Sequence, residues 1–293
     1  MVVRRALHAG SWYPGNKDKL RSQLQELFLD EEFGPGELPK SLNQESRSII
    51  GGVSPHAGYA YSGNCAAFTY LNLFKERIPD TVIVLGTDHL GYSKVAILDE
   101  GEWETPLGNL EIDSELANQV LDTSKTIVRD KSAFFGMLEE EHNIEIQLPF
   151  IKFCASDKNI KILTIKVGTR RDYKILEKIA EDIASAIKSI GKDVVIVASS
   201  DMSHKNVSNE AQFIDFKKFD QDVIDAFTIL NPEETYSAAS KTTVCGTQTI
   251  TTLMLICKKL NATQGKLLQY YTSHDKTRSF GYCVGYFSGI IIK

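Results

Sequence analysis

The sequence has no apolar run approaching the roughly 18 residues that a membrane span needs, so no spanning helix is expected. It has no P-loop and no G-x-G-x-x-G after a strand, which leaves nucleotide binding without support. It has no long block of one charge. With a formal net charge of −5 and a pI of about 5.8, composition offers neither a nucleic-acid nor a membrane-surface footprint. It also has no C-x-x-C pair. The five cysteines, Cys65, Cys154, Cys245, Cys257 and Cys283, are odd in number and scattered, unlike a disulfide framework. The apolar stretch at the N-terminus is too short for a secretory signal. Together these features predict a reducing, cytoplasmic setting. With 293 residues the chain can bury a large core without staples, and it contains no repeat, low-complexity tract or linker. One domain over residues 1–293 is the expectation.

What is present is an alternation of strand and helix patterns. Asn16 caps a helix carrying Leu20, Leu24, Leu27 and Phe28 at helical spacing. Ser48–Val53 and Lys161–Val167 are strand candidates, and Thr81–Leu85 and Asp193–Ala198 are the apolar, β-branched runs expected of strands buried on both faces. Between them the pattern predicts helices near 64–75, 114–122, 140–153, 172–190, 209–228, 232–240 and 247–260. A short hairpin excursion is expected at 93–113, and two closing strands at 265–272 and 279–292. The predicted fold is α/β: a central, mainly parallel or mixed sheet with helices on both faces.

Three of the six histidines share one context. His56, His89 and His204 each lie a few residues past an apolar strand, in a loop rich in Gly, Ser or Asp. In an open α/β sheet such loops line the ligand crevice beyond the carboxyl ends of the strands. Cys245 precedes a helix whose N-terminal dipole favours a thiolate. Two imidazoles and a thiolate suit a transition metal, with a position left for water or substrate. Asp201, three residues before His204, is placed to orient that histidine or to ligate, and His204 is a natural proton carrier. Taken singly, a loop histidine is ordinarily solvated and a lone cysteine ordinarily a small buried apolar group; the repeated context argues for the set. Glu141 and His142, at the expected start of a helix, are assigned to the pocket rim in preference to plain helix-start polarity, while Trp12 is by default a core or surface aromatic with a pocket wall as the lesser reading. His274 is expected to face solvent. The alternation Phe280, Tyr282, Val284, Tyr286 is expected on a core-facing side.

These residues stand in blocks with a known order. His8-Ala-Gly-Ser-Trp-Tyr13, Pro55-His-Ala-Gly-Tyr59 with Ser62-Gly63, Leu85-Gly-Thr-Asp-His89, Glu141-His-x-Ile-Glu145-x-x-Leu-Pro149, Ser199-Ser-Asp-x-x-His204 and Cys245-Gly246 follow one another as in the Memo family (mediator of cell motility), which the chain resembles from His8 to its end. The resemblance implies a fold like that of class III extradiol dioxygenases, in which two histidines and a glutamate hold Fe(II). It implies His56 and His89 as the two histidines and Cys245 in place of the glutamate. It also implies His204 as acid/base with Asp201 near it, and Trp12 at the pocket edge. Leu90 departs from animal relatives, where a second histidine is frequent. The implied cofactor is Fe(II) or Cu, with redox activity. The implied partners are a small-molecule substrate or, as proposed for animal members, a phosphotyrosine peptide in the same pocket. Because a thiolate is itself oxidisable, ring-opening chemistry does not follow automatically. A metal-dependent redox enzyme, a non-catalytic ligand- or peptide-binding module and a Cys–His nucleophilic enzyme therefore remain as alternatives.

Overall fold

The computed structural model describes residues 2–168 and 172–293. Its strands are β1 (Val3–Arg4), β2 (Ile49–Ser54), β3 (Thr81–Gly86), β4 (Val95–Leu98), β5 (Glu102–Trp103), β6 (Leu110–Ile112), β7 (Ile127–Arg129), β8 (Lys161–Val167), β9 (Val194–Ser199), β10 (His204–Val207), β11 (Gln264–Thr272) and β12 (Gly281–Ile292). Its α-helices are α1 (Lys17–Leu29), α2 (Tyr59–Lys75), α3 (Ser114–Thr123), α4 (Leu148–Ala155), α5 (Tyr173–Ile190), α6 (Glu210–Thr228), α7 (Pro232–Ala239), α8 (Thr247–Lys259) and α9 (Ser273–Thr277). All the strands join one sheet, ordered β1-β5-β6-β8-β3-β9-β2-β12-β10 along its main path. The run from β6 to β2 is parallel, and β12 closes it antiparallel.

The alternation along each central strand divides the core. Ile83, Leu85, Ile196 and Ala198 face one apolar layer with residues of α3, α5 and α8. Val82, Val84, Val195 and Val197 face the other, with residues of α1, α2 and α4. Period-two strands buried on both sides demand helices above and below, and that is the architecture found: a single α/β domain. No helix among the described residues is long and apolar enough to cross a membrane.

Five local expectations are corrected. The helix expected at 140–153 starts only at Leu148, after a 3-10 turn at Glu145–Gln147, with Pro149 in its first turn where no amide donor is needed. His204 lies not in a loop but at the start of β10, paired antiparallel with β12. Phe280 and Tyr282 are exposed while Tyr286 is buried, because the outer part of β12 runs to the sheet edge beside β10. His274 is half-buried between Phe213 and Phe280, each 4.5 Å away by ring centroid. It sits on α9, whose start is a capping box of Thr272 and Asp275. The 93–113 excursion divides: β5 and β6 form the hairpin, and β4 joins the main sheet antiparallel to β8.

Candidate metal centre

Strands β3, β9 and β2 are neighbours in register, with Leu85 opposite Ala198 and Ser54 opposite Ser199. Their carboxyl ends therefore stop at one level. The loops carrying His89, Asp201 (leading to His204 at the start of β10) and His56 must leave from adjacent points. Cys245 is brought to them by the turn before α8. Its carbonyl accepts from Thr87 Oγ1 at 3.1 Å, and the next amide, Gly246 N, donates to Ser200 Oγ at 3.0 Å. Glycine is required there, since a Cβ would stand 2.4 Å from Ser200 Cβ and Oγ.

One ligand atom from each of His56, His89 and His142 lies within 4.8 Å of the other two. Ring centroids separate by 5.2–5.4 Å, with His89 and His142 stacked almost parallel. His142, assigned to the rim from sequence, is thus the third imidazole of the cluster. Cys245 Sγ lies 3.2 Å from His56 Nε2. His204 stands apart, its Nε2 4.0 Å from Asp201 Oδ2. Trp12 covers His142 at 4.2 Å between ring centroids, with His8 edge-on to both.

Hydrogen bonding fixes the tautomers. Ser199 Oγ donates its one proton to Asn143 O at 2.7 Å, since a carbonyl can only accept. It must then accept from Gln147 Nε2 at 2.9 Å and from His56 Nδ1 at 3.0 Å. His56 carries its proton on Nδ1 and leaves Nε2 a bare lone pair. His89 Nδ1 likewise donates to Glu141 Oε1 at 2.9 Å, and its backbone amide to Oε2 at 2.6 Å. Carboxylate or hydroxyl partners behind the ring are the usual orienting shell of a metal-binding histidine. His204 Nδ1 donates to Thr243 O at 3.3 Å, turning Nε2 toward Asp201.

Charge states follow from the same surroundings. Burial, then the neighbouring imidazoles, push His56 well below its ordinary range, so it is neutral. Burial brings His142 down to about 4. Burial alone would raise Glu141, but the bond and charge of His89 outweigh it and hold the carboxyl at about 2. His89 is raised in turn: burial opposes the charge, and Glu141 more than compensates. Burial and then the Asp201 charge push the Cys245 thiol up, so the dipole at the α8 terminus does not make the free residue a thiolate as expected from the sequence. Burial also raises Asp201, which accepts from His56 N at 2.8 Å. His56, neutral and with its Nε2 lone pair fixed by a hydroxyl, beside His89, oriented by a carboxylate, fits a borderline transition-metal ion.

The model of the family described as "Memo-like protein" matches residues 4–290. The chain belongs to the Memo-like family. It is 35% identical to a MEMO1 family protein of Desulfurococcus amylolyticus, over 98% of each chain. It is 33% identical to one of Methanobrevibacter smithii over 99% of each. It is 34% identical to one of Nitrosopumilus maritimus over 97% of this chain and 98% of the other. Among solved structures, an uncharacterized protein of Escherichia coli K12 superposes with a TM-score of 0.53 at 10% identity, covering 84% of this chain and all of that one. That likeness concerns the fold alone. In this Memo-like chain the sequence missed Ser199 and Gln147 as organisers of His56. Their signal was polar residues in otherwise apolar surroundings, both of them fully buried.

Proposed function

We propose that this protein is a metal-dependent redox protein whose site resembles that of the extradiol dioxygenases. His56 and His89 hold one Fe(II) or Cu ion together with Cys245. His142 lies beside both rings, and His204 with Asp201 handles protons. The observation that supports this most is the convergence of three ring nitrogens, with two of the rings locked from behind into the tautomer that presents Nε2. When bound, the ion supplies Lewis-acid and electron-transfer chemistry. The chain's own residues do the rest. Glu141 and Ser199 hold the rings, Trp12 and His142 bound the approach, and His204 Nε2 accepts or returns a proton next to the Asp201 carboxyl. The five free cysteines support a reducing, cytoplasmic setting.

The test is anaerobic loading with Fe(II), and separately with Cu, followed by metal stoichiometry. One ion per chain is expected, lost in His56→Ala and His89→Ala. Comparison of Cys245→Ser with His142→Ala identifies the third donor. If His56→Ala and Cys245→Ser bind as much metal as the unaltered protein, the reading is wrong. A second reading, a non-catalytic ligand- or peptide-binding module, draws on the exposed Tyr282, 6.2 Å from His204 by ring centroid, and the exposed Leu90 beside His89. Ligand held without turnover, and indifferent to a chelator, would favour it.

A further inference from the structure

The segment that carries His142 alternates in what it holds. Glu141 holds the His89 loop, and Asn143 holds the Thr87 carbonyl. Glu145 holds neither. Its carboxyl is fully buried, and every side-chain hydrogen bond it makes among the described residues runs to the N-terminal segment. Oε2 accepts from Leu7 N at 3.1 Å, and Oε1 accepts from His8 N at 2.8 Å and from the Tyr13 hydroxyl at 2.8 Å. The Arg4 guanidinium stands 3.7 Å away. An apolar side chain would fill the same volume without the cost of burying a carboxyl, so the carboxyl serves these partners. Between His8 and Tyr13 lies Trp12. The turn that carries it is closed on itself: Trp12 N donates to His8 O at 3.0 Å, and Gly10 N donates to Tyr13 O at 2.6 Å. Its far side joins α2, where Tyr59 N donates to Trp12 O at 2.9 Å. The indole is half-buried and lies over His142, whose side chain keeps only 19% of its exposure.

We propose that Glu145 is the positioning residue for Trp12: it clamps the turn 8–13 so that the indole covers His142 and narrows access to the three-imidazole cluster. Glu145 has no hydrogen bond to the rings of that cluster and acts only through the turn. A carboxylate is the group that fits. It offers two oxygens and no donor to two amides and a phenol, whereas a primary amide would turn an NH2 toward one of them. The clamp continues along the chain in both directions. Arg4 Nη2 donates to Glu139 O, and His8 Nε2 lies 3.1 Å from Glu140 O. Residues 4–13 are thus tied to residues 139–145, and the His142 ring and its cover are set by one contact surface. The importance of that cover rests on the metal site proposed above; the placement of Trp12 does not.

The test is the labelling of metal-free protein with diethyl pyrocarbonate, which acylates unprotonated imidazoles, read histidine by histidine by peptide mass spectrometry. In Glu145→Gln, His142 is expected to label several-fold faster than in the unaltered chain, with His204, which stands apart from the cluster, unchanged. Trp12→Ala should label His142 at least as fast by itself. Adding Glu145→Gln to it should then change nothing further, as for two residues acting through one element. Where Glu145→Gln does not fold, Tyr13→Phe decides, because it removes one of the three bonds and keeps the ring; a smaller increase at His142 alone is expected. An unchanged His142 rate, acceleration at both histidines, or a further increase in the double variant overturns the proposal. No metal is loaded in this assay, so its failure is distinct from a failure of the metal reading.

Discussion

Ser199 is the residue whose loss should be felt both in the fold and at the site. Its hydroxyl is fully buried and makes three bonds: to Asn143 O at 2.7 Å, from Gln147 Nε2 at 2.9 Å and from His56 Nδ1 at 3.0 Å. Ser199→Ala leaves no cavity but orphans these partners. Gln147 Nε2 keeps its bond to Pro55 O at 2.9 Å, so the main losses are the Asn143 carbonyl and the His56 N–H. Each buried unsatisfied group costs about 1–3 kcal/mol, giving a net destabilisation of about 2–4 kcal/mol after local relaxation. Urea unfolding followed by circular dichroism should show a lower midpoint at unchanged slope. Ser132→Ala, on the exposed surface, should stay within about 0.5 kcal/mol. Freed of its partner, His56 samples the wrong tautomer, and metal affinity should fall about 10–100-fold. A stability loss under about 1 kcal/mol with unchanged metal affinity would refute the proton assignment on which the site's geometry rests.

Three further outcomes follow from the same structure. Glu141→Gln removes the carboxylate behind His89 and should lower Fe(II) or Cu affinity about 10–100-fold by calorimetric titration, whereas no change would dismiss its orienting role. Gly246→Ala drives a Cβ to 2.4 Å from Ser200, which should cost about 1–3 kcal/mol in thermal or urea unfolding and displace Cys245; a variant of full stability would contradict that packing. Asp113 is raised by burial, but bonds from Lys192, Thr81 and the Leu116 amide outweigh this and hold it below its ordinary 3.8. Its contribution is therefore fully present above the unfolded value and disappears as pH falls through the lower folded one. Asp113→Asn should flatten the stability–pH curve below about pH 4 and leave the slope near neutrality unchanged.

The layout of the sheet was legible because its strands announce themselves. Thr81–Leu85 and Asp193–Ala198 are too uniformly apolar to be anything but strands covered on both faces. Strand identity also places the following loops at the carboxyl ends, which is why His56 and His89 were found without local spacing. Less legible was whatever depends on which groups satisfy which. His142 reads as the polar start of a helix. Its backbone region is instead irregular, because Glu141 and Asn143 are spent on the His89 loop: Asn143 Nδ2 donates to Thr87 O and to Glu141 Oε1, each at 2.8 Å. Helical hydrogen bonding and these long-range bonds compete for the same segment, and periodicity cannot show the winner. His204 is similar: pairing with β12 depends on a strand some 80 residues away in sequence, beyond the reach of any local pattern.

The thiol decides between coordination and nucleophilic chemistry. A Cys–His nucleophile needs a base able to take the sulfur's proton. The candidate closest to Cys245 Sγ is His56 Nε2 at 3.2 Å. Yet burial lowers this imidazole and raises that thiol, so transferring the proton between them works against both shifts at once. The Asp201 amide, which donates to the sulfur at 3.3 Å, and the other donors around it are outweighed by burial and the Asp201 carboxyl. A cation bound at His56 reverses this balance, because it gains from a neutral imidazole and displaces the thiol proton outright. Burial that disfavours the nucleophile thus leaves coordination open. Metal-free protein should alkylate Cys245 with iodoacetamide at neutral pH no faster than an unactivated buried thiol. Metal uptake in weakly buffered solution should release a proton that Cys245→Ser does not release. Rapid alkylation of the metal-free chain, or identical proton release from the serine variant, would return the sulfur to the nucleophilic reading.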